Sequence, residues 1–243
     1  MDINRTKVGM VLAEFFGTAI LASLVLAQIN AVGAILSSPW FVAATAGLTL
    51  SVLTLALGRV SGGHFNPAVT LGLWSVRKVQ TTTAIVYIAT QMLAGICALL
   101  LFQYISDMTV GNVGGNFEWR VFVAEMVGAF IFMHGFAASV FQRYSGLKSA
   151  VVIGASFTLG IIVAAVAGNA TINPAVALAI NSWSWTYALA PFVGGLLAFN
   201  VYSLFFADQD EVVVRHRDDM AVERPVRTNG GTRTTVVTKK KRR

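Results

Sequence analysis

Two copies of one tetrapeptide carry most of the polar chemistry of this chain: Asn66-Pro67-Ala68-Val69 and Asn173-Pro174-Ala175-Val176, 107 residues apart. Asn is a preferred helix N-cap, and Pro suits the first helical position because its missing N–H would be unpaired there. Each copy therefore starts a short helix, expected over about 67–76 and about 174–181. The cap oxygen is consumed by its own helix, which leaves the amide NH2 of Asn66 and Asn173 to donate to a guest. The runs that lead into the caps, Ser61-Gly62-Gly63-His64-Phe65 and Gly168-Asn169-Ala170-Thr171-Ile172, present carbonyl oxygens as a ladder of acceptors. Such a set makes and breaks hydrogen bonds to small molecules; it does not make covalent bonds. The chain has no phosphate-binding Gly loop and no Ser/His/Asp set. Its single cysteine, Cys97, excludes a disulfide framework and a Cys-type zinc site. No catalytic residue, metal or cofactor is expected.

The elements around these segments follow from composition. Of 243 residues 56% are hydrophobic and 12% charged, about half the charged share of a soluble domain. Six stretches, about 9–29, 40–58, 82–105, 120–141, 150–167 and 184–206, approach the roughly 20 apolar residues that cross a bilayer. Each is too apolar all round for a surface helix. Glu14 inside the first stretch, with no small-residue cleavage site after it, argues against a signal peptide. Lys and Arg number 2, 0, 3, 1, 2, 0 and 10 in successive segments outside the spans, which places both termini in the cytoplasm.

The two halves repeat. Ala-Glu-Phe-Phe-Gly-Thr at 13–18 is echoed by Ala-Glu-Met-Val-Gly-Ala at 124–129. Three spans per half make the second copy inverted relative to the first, with repeats at about 8–105 and about 119–206. Interrupted segments at matching places of inverted repeats point to a pathway at the bilayer midplane, where two half-helices would meet end to end. Non-helical backbone at that depth must be buried in protein or line a wet cavity.

On these residues the chain resembles the major intrinsic protein family of aquaporins and glycerol facilitators. Ser-Gly-Gly-His-Phe-Asn-Pro-Ala-Val-Thr (61–70) is similar to the family's first pore loop, and further matches are 13–18, Ala-Thr-Gln (89–91), His134-Gly135 and Pro191-Phe-Val-Gly-Gly. The resemblance spans about residues 8–206. It implies an all-α membrane fold of six full helices and two re-entrant half-helices around one pore per subunit, homotetramers in the cell membrane, and passive flow of water or small neutral solutes. Asn66 and Asn173 would be the central donors, with Pro67, Ala68, Pro174 and Ala175 completing the motifs. Gly62, Gly63, His64 and Phe65, with Asn169, Ala170, Thr171 and Ile172, would line the pore loops, His64 on the cytoplasmic side. Glu14 and Glu125 would hold those loops through their backbone N–H groups, since a carboxylate inside a span needs a partner.

The chain departs from the family at the outer constriction. Val176 stands where the second motif is normally followed by Arg, and the other three constriction positions map to Ala46, Ile161 and Ala170. All four are apolar. Lost bulk widens the mouth for solutes larger than water, whereas an apolar ring can dewet. Loss of the Arg predicts weaker proton exclusion than in an Arg-bearing relative. Ala177 replaces the Asp usual in the glycerol branch. A secondary transporter on the same inverted repeat, or a non-conducting structural member of the family, are the competing readings. Residues 207–243 turn polar, carry ten Lys/Arg and end in Lys-Lys-Lys-Arg-Arg. With too little apolar material for a core this reads as a disordered tail, suited to anionic lipid at about 1 kcal/mol per basic residue. Without an aromatic platform or binding fold, no nucleic-acid partner is expected.

Overall fold

Among the described residues, capping residues and apolar runs set eight helices: α1 (Asp2–Ile29), α2 (Pro39–Ser61), α3 (Pro67–Ser75), α4 (Thr81–Ser106), α5 (Trp119–Phe141), α6 (Gly146–Ala164), α7 (Pro174–Ala179) and α8 (Trp185–Phe205). They come from a computed structural model that describes residues 2–30 and 37–207. Residues 31–36 of the first expected link and 208–243 of the expected tail lie outside the described residues. Among the described residues six helices are long and apolar enough to cross a membrane, and α3 and α7 are the short ones. At most 44% of any crossing window is buried, and each span leaves large apolar side chains exposed, among them Leu12, Leu48, Ile85, Val123, Leu159 and Leu197.

The spans fall close to their expected places, with two informative shifts. Helix α6 begins at Gly146 rather than at 150, because Lys148 sits in its first turn with its ammonium 3.7 Å from the Tyr144 ring centre. It ends at Ala164 although the chain stays apolar through Ala167, so hydropathy alone overran the end. The second short helix stops at Ala179, six residues in all against nine for the first. At about 1.5 Å per residue the second reaches only ~9 Å, less than half a hydrocarbon core. Docking of the 107–118 segment fixes that early stop. Asn181 turns left-handed (φ 53°), donates its amide to Val110 O at 2.9 Å and accepts from Val113 N at 3.0 Å.

The inverted repeat is visible atom by atom where α2 crosses α6. Gly47 and Gly154, equivalent at the offset of 107, face each other. A Cβ on Gly47 would lie 2.6 Å from Gly154 O, and the converse contact is tighter still, so neither position admits a side chain without parting the helices. Beside them Ser51 Oγ donates to Ala150 O at 3.0 Å, and its repeat partner Thr158 donates to Ala43 O at 3.2 Å. Small residues and hydroxyl donors are how helices associate where lipid removes the hydrophobic drive. The short helices are held across the repeat: α3 packs mainly on α8, where Gly195 meets Ala68 O, and α7 mainly on α4, where Gly95 meets Ala175 O.

Candidate functional site

The two Asn-Pro-Ala segments meet, and they do so by reciprocal hydrogen bonds. Asn66 caps α3 with its Oδ1, which accepts from Ala68 N at 2.8 Å; Asn173 caps α7 in the same way, accepting from Ala175 N at 3.0 Å. The amide nitrogens then cross over. Asn66 Nδ2 donates to Ile172 O at 3.0 Å and Asn173 Nδ2 donates to Phe65 O at 2.9 Å. Each amide NH2 carries two hydrogens, so one per asparagine is spent on the opposite loop. The expectation that the whole NH2 is available to a guest is corrected to one N–H each. The physical reason is that Phe65 O and Ile172 O, at the ends of broken backbone, would otherwise be buried without a donor.

The residue before each asparagine is turned to make this exchange. Phe65 and Ile172 have φ of 47° and 37°, a region that side-chain-bearing residues avoid. That turn sends the N–H one way and the C=O the other. Phe65 N donates to Glu14 Oε2 and Ile172 N to Glu125 Oε2, both at 2.7 Å, while the carbonyls receive the opposite asparagine. Glu14 also accepts from His64 N at 3.0 Å and Ser61 Oγ at 2.6 Å. Glu125 accepts from Thr171 N at 2.9 Å and Thr171 Oγ1 at 3.2 Å. Both carboxylates are fully buried. A buried carboxylate is tolerable when several donors replace its water, and here those donors are the loops themselves.

Several partners in this network were not singled out as site residues. Gln91 donates to Glu14 Oε2 at 2.7 Å and to Thr70 Oγ1 at 3.0 Å, and Tyr87 donates to Ser61 O at 2.9 Å. An amide inside a span was the available signal at Gln91. His64 is 4% exposed, with Nδ1 3.0 Å from Thr70 Oγ1 and its ring edge-on to Tyr87 and Phe136. Asn169 sends its side-chain amide to Val113 O at 2.9 Å and Ser182 Oγ at 2.7 Å, so it ties the second loop to its surroundings.

A cavity opens at each end of this junction. One, of about 190 Å³, lies at the α2 N-terminus and the α6 C-terminus. Its wall includes Ile161, Ala170 and Val176, together with Val25, Val42, Phe157 and Thr171. Ala46 is fully buried and does not line it; Val42, one turn earlier on α2, does. Phe157 likewise stands one turn before Ile161. Among the described residues, no charged side chain lines this apolar cavity. The other, of about 280 Å³, lies at the opposite ends of the same helices, with Gly62, Phe136, Ile153, Arg59 and Arg143 in its wall. Gly62 represents the first loop there; Gly63, Phe65 and His64 do not reach it.

A polytopic membrane protein with two inverted halves, each contributing a re-entrant helix capped at a shared midpoint, is thereby defined. Comparison with known proteins agrees: the model of the family described as "Major intrinsic protein" matches residues 3–202, and the chain belongs to that family of membrane channels. Aquaporin Z of Photorhabdus laumondii is 30% identical over 187 residues, covering 67% of this chain and 81% of its own. Aquaporin-1 of Gibberella zeae is 30% identical over 248 residues, 92% of this chain and 77% of its own. In fold the chain is similar to the X-ray structure of the aquaglyceroporin from Plasmodium falciparum, with TM-score 0.68 at 19% identity over 87% of this chain and 98% of that one.

Proposed function

We propose that this channel conducts small neutral solutes passively, selecting them by size and polarity at an apolar constriction. The conduit runs from one cavity to the other past the single remaining N–H of Asn66 and of Asn173. Support comes from the reciprocal bonds that fix those amides between cavities at opposite ends of α2 and α6. The constriction is assigned to Ile161, Ala170 and Val176, with Ala46 behind Val42 rather than in the wall. Besides the apolar side chains of Ile161 and Val176, the cavity wall includes the 168–171 loop, whose non-helical backbone is polar. A molecule with an apolar and a hydrogen-bonding side, such as a glycerol-like polyol, is matched on both, whereas water in the same place gives up hydrogen bonds to the apolar side. Solute class is therefore expected to run to polyols, with urea, ammonia and peroxide as smaller relatives, and water slower than in an Arg-bearing aquaporin.

The remaining assignments belong to the same reading. The channel domain comprises residues 1–206, works as a homotetramer in the cell membrane and has both termini in the cytoplasm; the 207–243 tail meets anionic lipid. His64, whose Nε2 has no hydrogen-bond partner among the described residues, faces the conduit through that atom. The test is stopped-flow light scattering of proteoliposomes shrunk with an impermeant osmolyte, with glycerol and with urea in turn. Flux that rises linearly with the gradient supports the channel. Saturation with dependence on an ion gradient would instead indicate a carrier, and permeabilities equal to those of protein-free vesicles a structural protein.

A further inference from the structure

The two cavities are images of one another in the internal repeat. At the offset of 107, Val42 and Ile161 of the apolar cavity answer to Ser149 and Thr54 of the other. At the offset of 111 that separates Glu14 from Glu125, Val25 answers to Phe136. Phe157 breaks the pattern. Its image, Leu50, is 1% exposed and stands outside the wall of the second cavity, whereas Phe157 is in the wall of the first. Among the described residues it is the one aromatic residue in that wall. A ring is therefore present where the repeat supplies none, and the four positions expected to constrict the mouth, Ala46, Ile161, Ala170 and Val176, carry no ring at all.

Phe157 stands on the junction side of that cavity. Helix α6 ends at Ala164 beside the cavity, so Phe157 lies one turn, ~6 Å, deeper than Ile161. Three residues on, at Gly160, Phe132 and Ile172 close against α6: a Cβ there would lie 3.1 Å from Phe132 Cβ and 3.0 Å from Ile172 Cδ1. Ile172 is the residue whose carbonyl accepts from Asn66. The Phe157 ring is centred 4.8 Å from that of Phe132, and Phe132 meets Phe136 edge-on at 6.2 Å. Phe136 is in the wall of the second cavity, so a chain of three rings links one wall to the other. None of the three is more than 2% exposed. Packing of that density leaves the Phe157 ring little room to swing aside.

We infer that Phe157 is the residue that sets the largest solute cross-section this conduit admits, its ring narrowing the floor of the apolar cavity. The inference rests on the conduit proposed above. An aromatic face offers contact to C–H groups and no hydrogen-bond donor. An unbranched polyol therefore passes it with its carbon chain against the ring and its hydroxyls toward the polar backbone of the 168–171 loop. A branched polyol is wider and carries hydroxyls on every side, so some would be pressed unpaired against the ring, which is costly. Girth and polarity then reject the same solutes.

The test compares glycerol with pentaerythritol, a branched tetraol, by light scattering of proteoliposomes that carry the full chain. The wild type should pass glycerol and hold pentaerythritol at the level of protein-free vesicles. Phe157→Ala is expected to raise pentaerythritol permeability about tenfold or more, the scale on which small size changes in an apolar site discriminate, while glycerol changes by less than about threefold. Ile161→Ala, one turn nearer the mouth, should change the ratio of the two by less than about twofold. Should Phe157→Ala not fold, Phe157→Leu keeps most of the volume and is expected to raise pentaerythritol about threefold, and Phe157→Trp to lower glycerol about as much. Continued exclusion of pentaerythritol by Phe157→Ala and Phe157→Leu, with glycerol flux intact, overturns the inference. Passage of pentaerythritol through the wild type at the glycerol rate also overturns it, as does its admission by Ile161→Ala, which moves the limit one turn outward. Absence of glycerol flux in the wild type contradicts the conduit itself, a result distinguishable from these.

Discussion

At the residue scale the junction depends on two strained positions that do the same work. Phe65 and Ile172 are held at positive φ, at a cost of order 1–3 kcal/mol each. What offsets it is visible: each turned peptide gives its N–H to a buried glutamate and its C=O to the opposite asparagine. Val176, 2% exposed and in the wall of the apolar cavity, is the residue whose replacement reports most simply on solute choice. Val176→Arg adds bulk, charge and donors at the proposed constriction. Glycerol flux is expected to fall severalfold and proton leak to fall with it. Stopped-flow and pH-dye measurements on the same proteoliposomes check both, and unchanged fluxes would remove Val176 from the path.

At the element scale the half-helices and the α2–α6 crossing position everything else. The caps were readable in the sequence because Asn followed by Pro states a helix start in two residues. The stop of α7 was not, because it comes from Asn181 bonding to Val110 and Val113 some seventy residues earlier in the chain. The lining of the apolar cavity was half readable for a related reason. Spacing from the asparagines placed Ile161, Ala170 and Val176 together, and all three are in the cavity wall, but it missed Val42 and Phe157, since helix rotation decides which turn of α2 and α6 faces the cavity. The glycine crossing gives a stability prediction. In Gly154→Ala the new Cβ would overlap Ser51 Oγ and Gly47 O, and overpacking of this kind costs about 1–3 kcal/mol. Thermal denaturation in detergent should show a Tm several degrees lower, while Gly111→Ala, with open space around it, should match the wild type. Equal Tm values would mean that the crossing yields freely.

At the scale of the whole molecule, composition and an internal repeat carried the reading a long way. Six spans, an inverted second half and two interrupted segments all follow from apolar run lengths and an offset of 107. What the sequence could not supply was the handshake between halves: that Ser51 and Thr158 bond across the repeat, and that α3 rests on α8 while α7 rests on α4. These are pairings of distant segments with no local signature. The proposed orientation is supported by charge placement: Arg59, Arg77, Lys78, Arg143 and Lys148 lie within a turn or just outside one set of alternate span ends, while Asp107, Glu118 and Arg120 lie at the other set. In whole cells, an impermeant thiol reagent should label an Asn112→Cys variant and spare an Arg77→Cys variant, both made on Cys97→Ala; the reverse pattern would invert the topology.

The claim that solute passes the asparagine junction through the apolar cavity is tested most directly by plugging that cavity. An Ala170→Cys variant on the Cys97→Ala background places one thiol in the cavity wall, at a half-buried position. After reaction with a bulky, membrane-impermeant methanethiosulfonate, glycerol flux should fall to the level of protein-free liposomes and return on reduction with dithiothreitol. Complete labelling with flux unchanged would show that the solute takes another route.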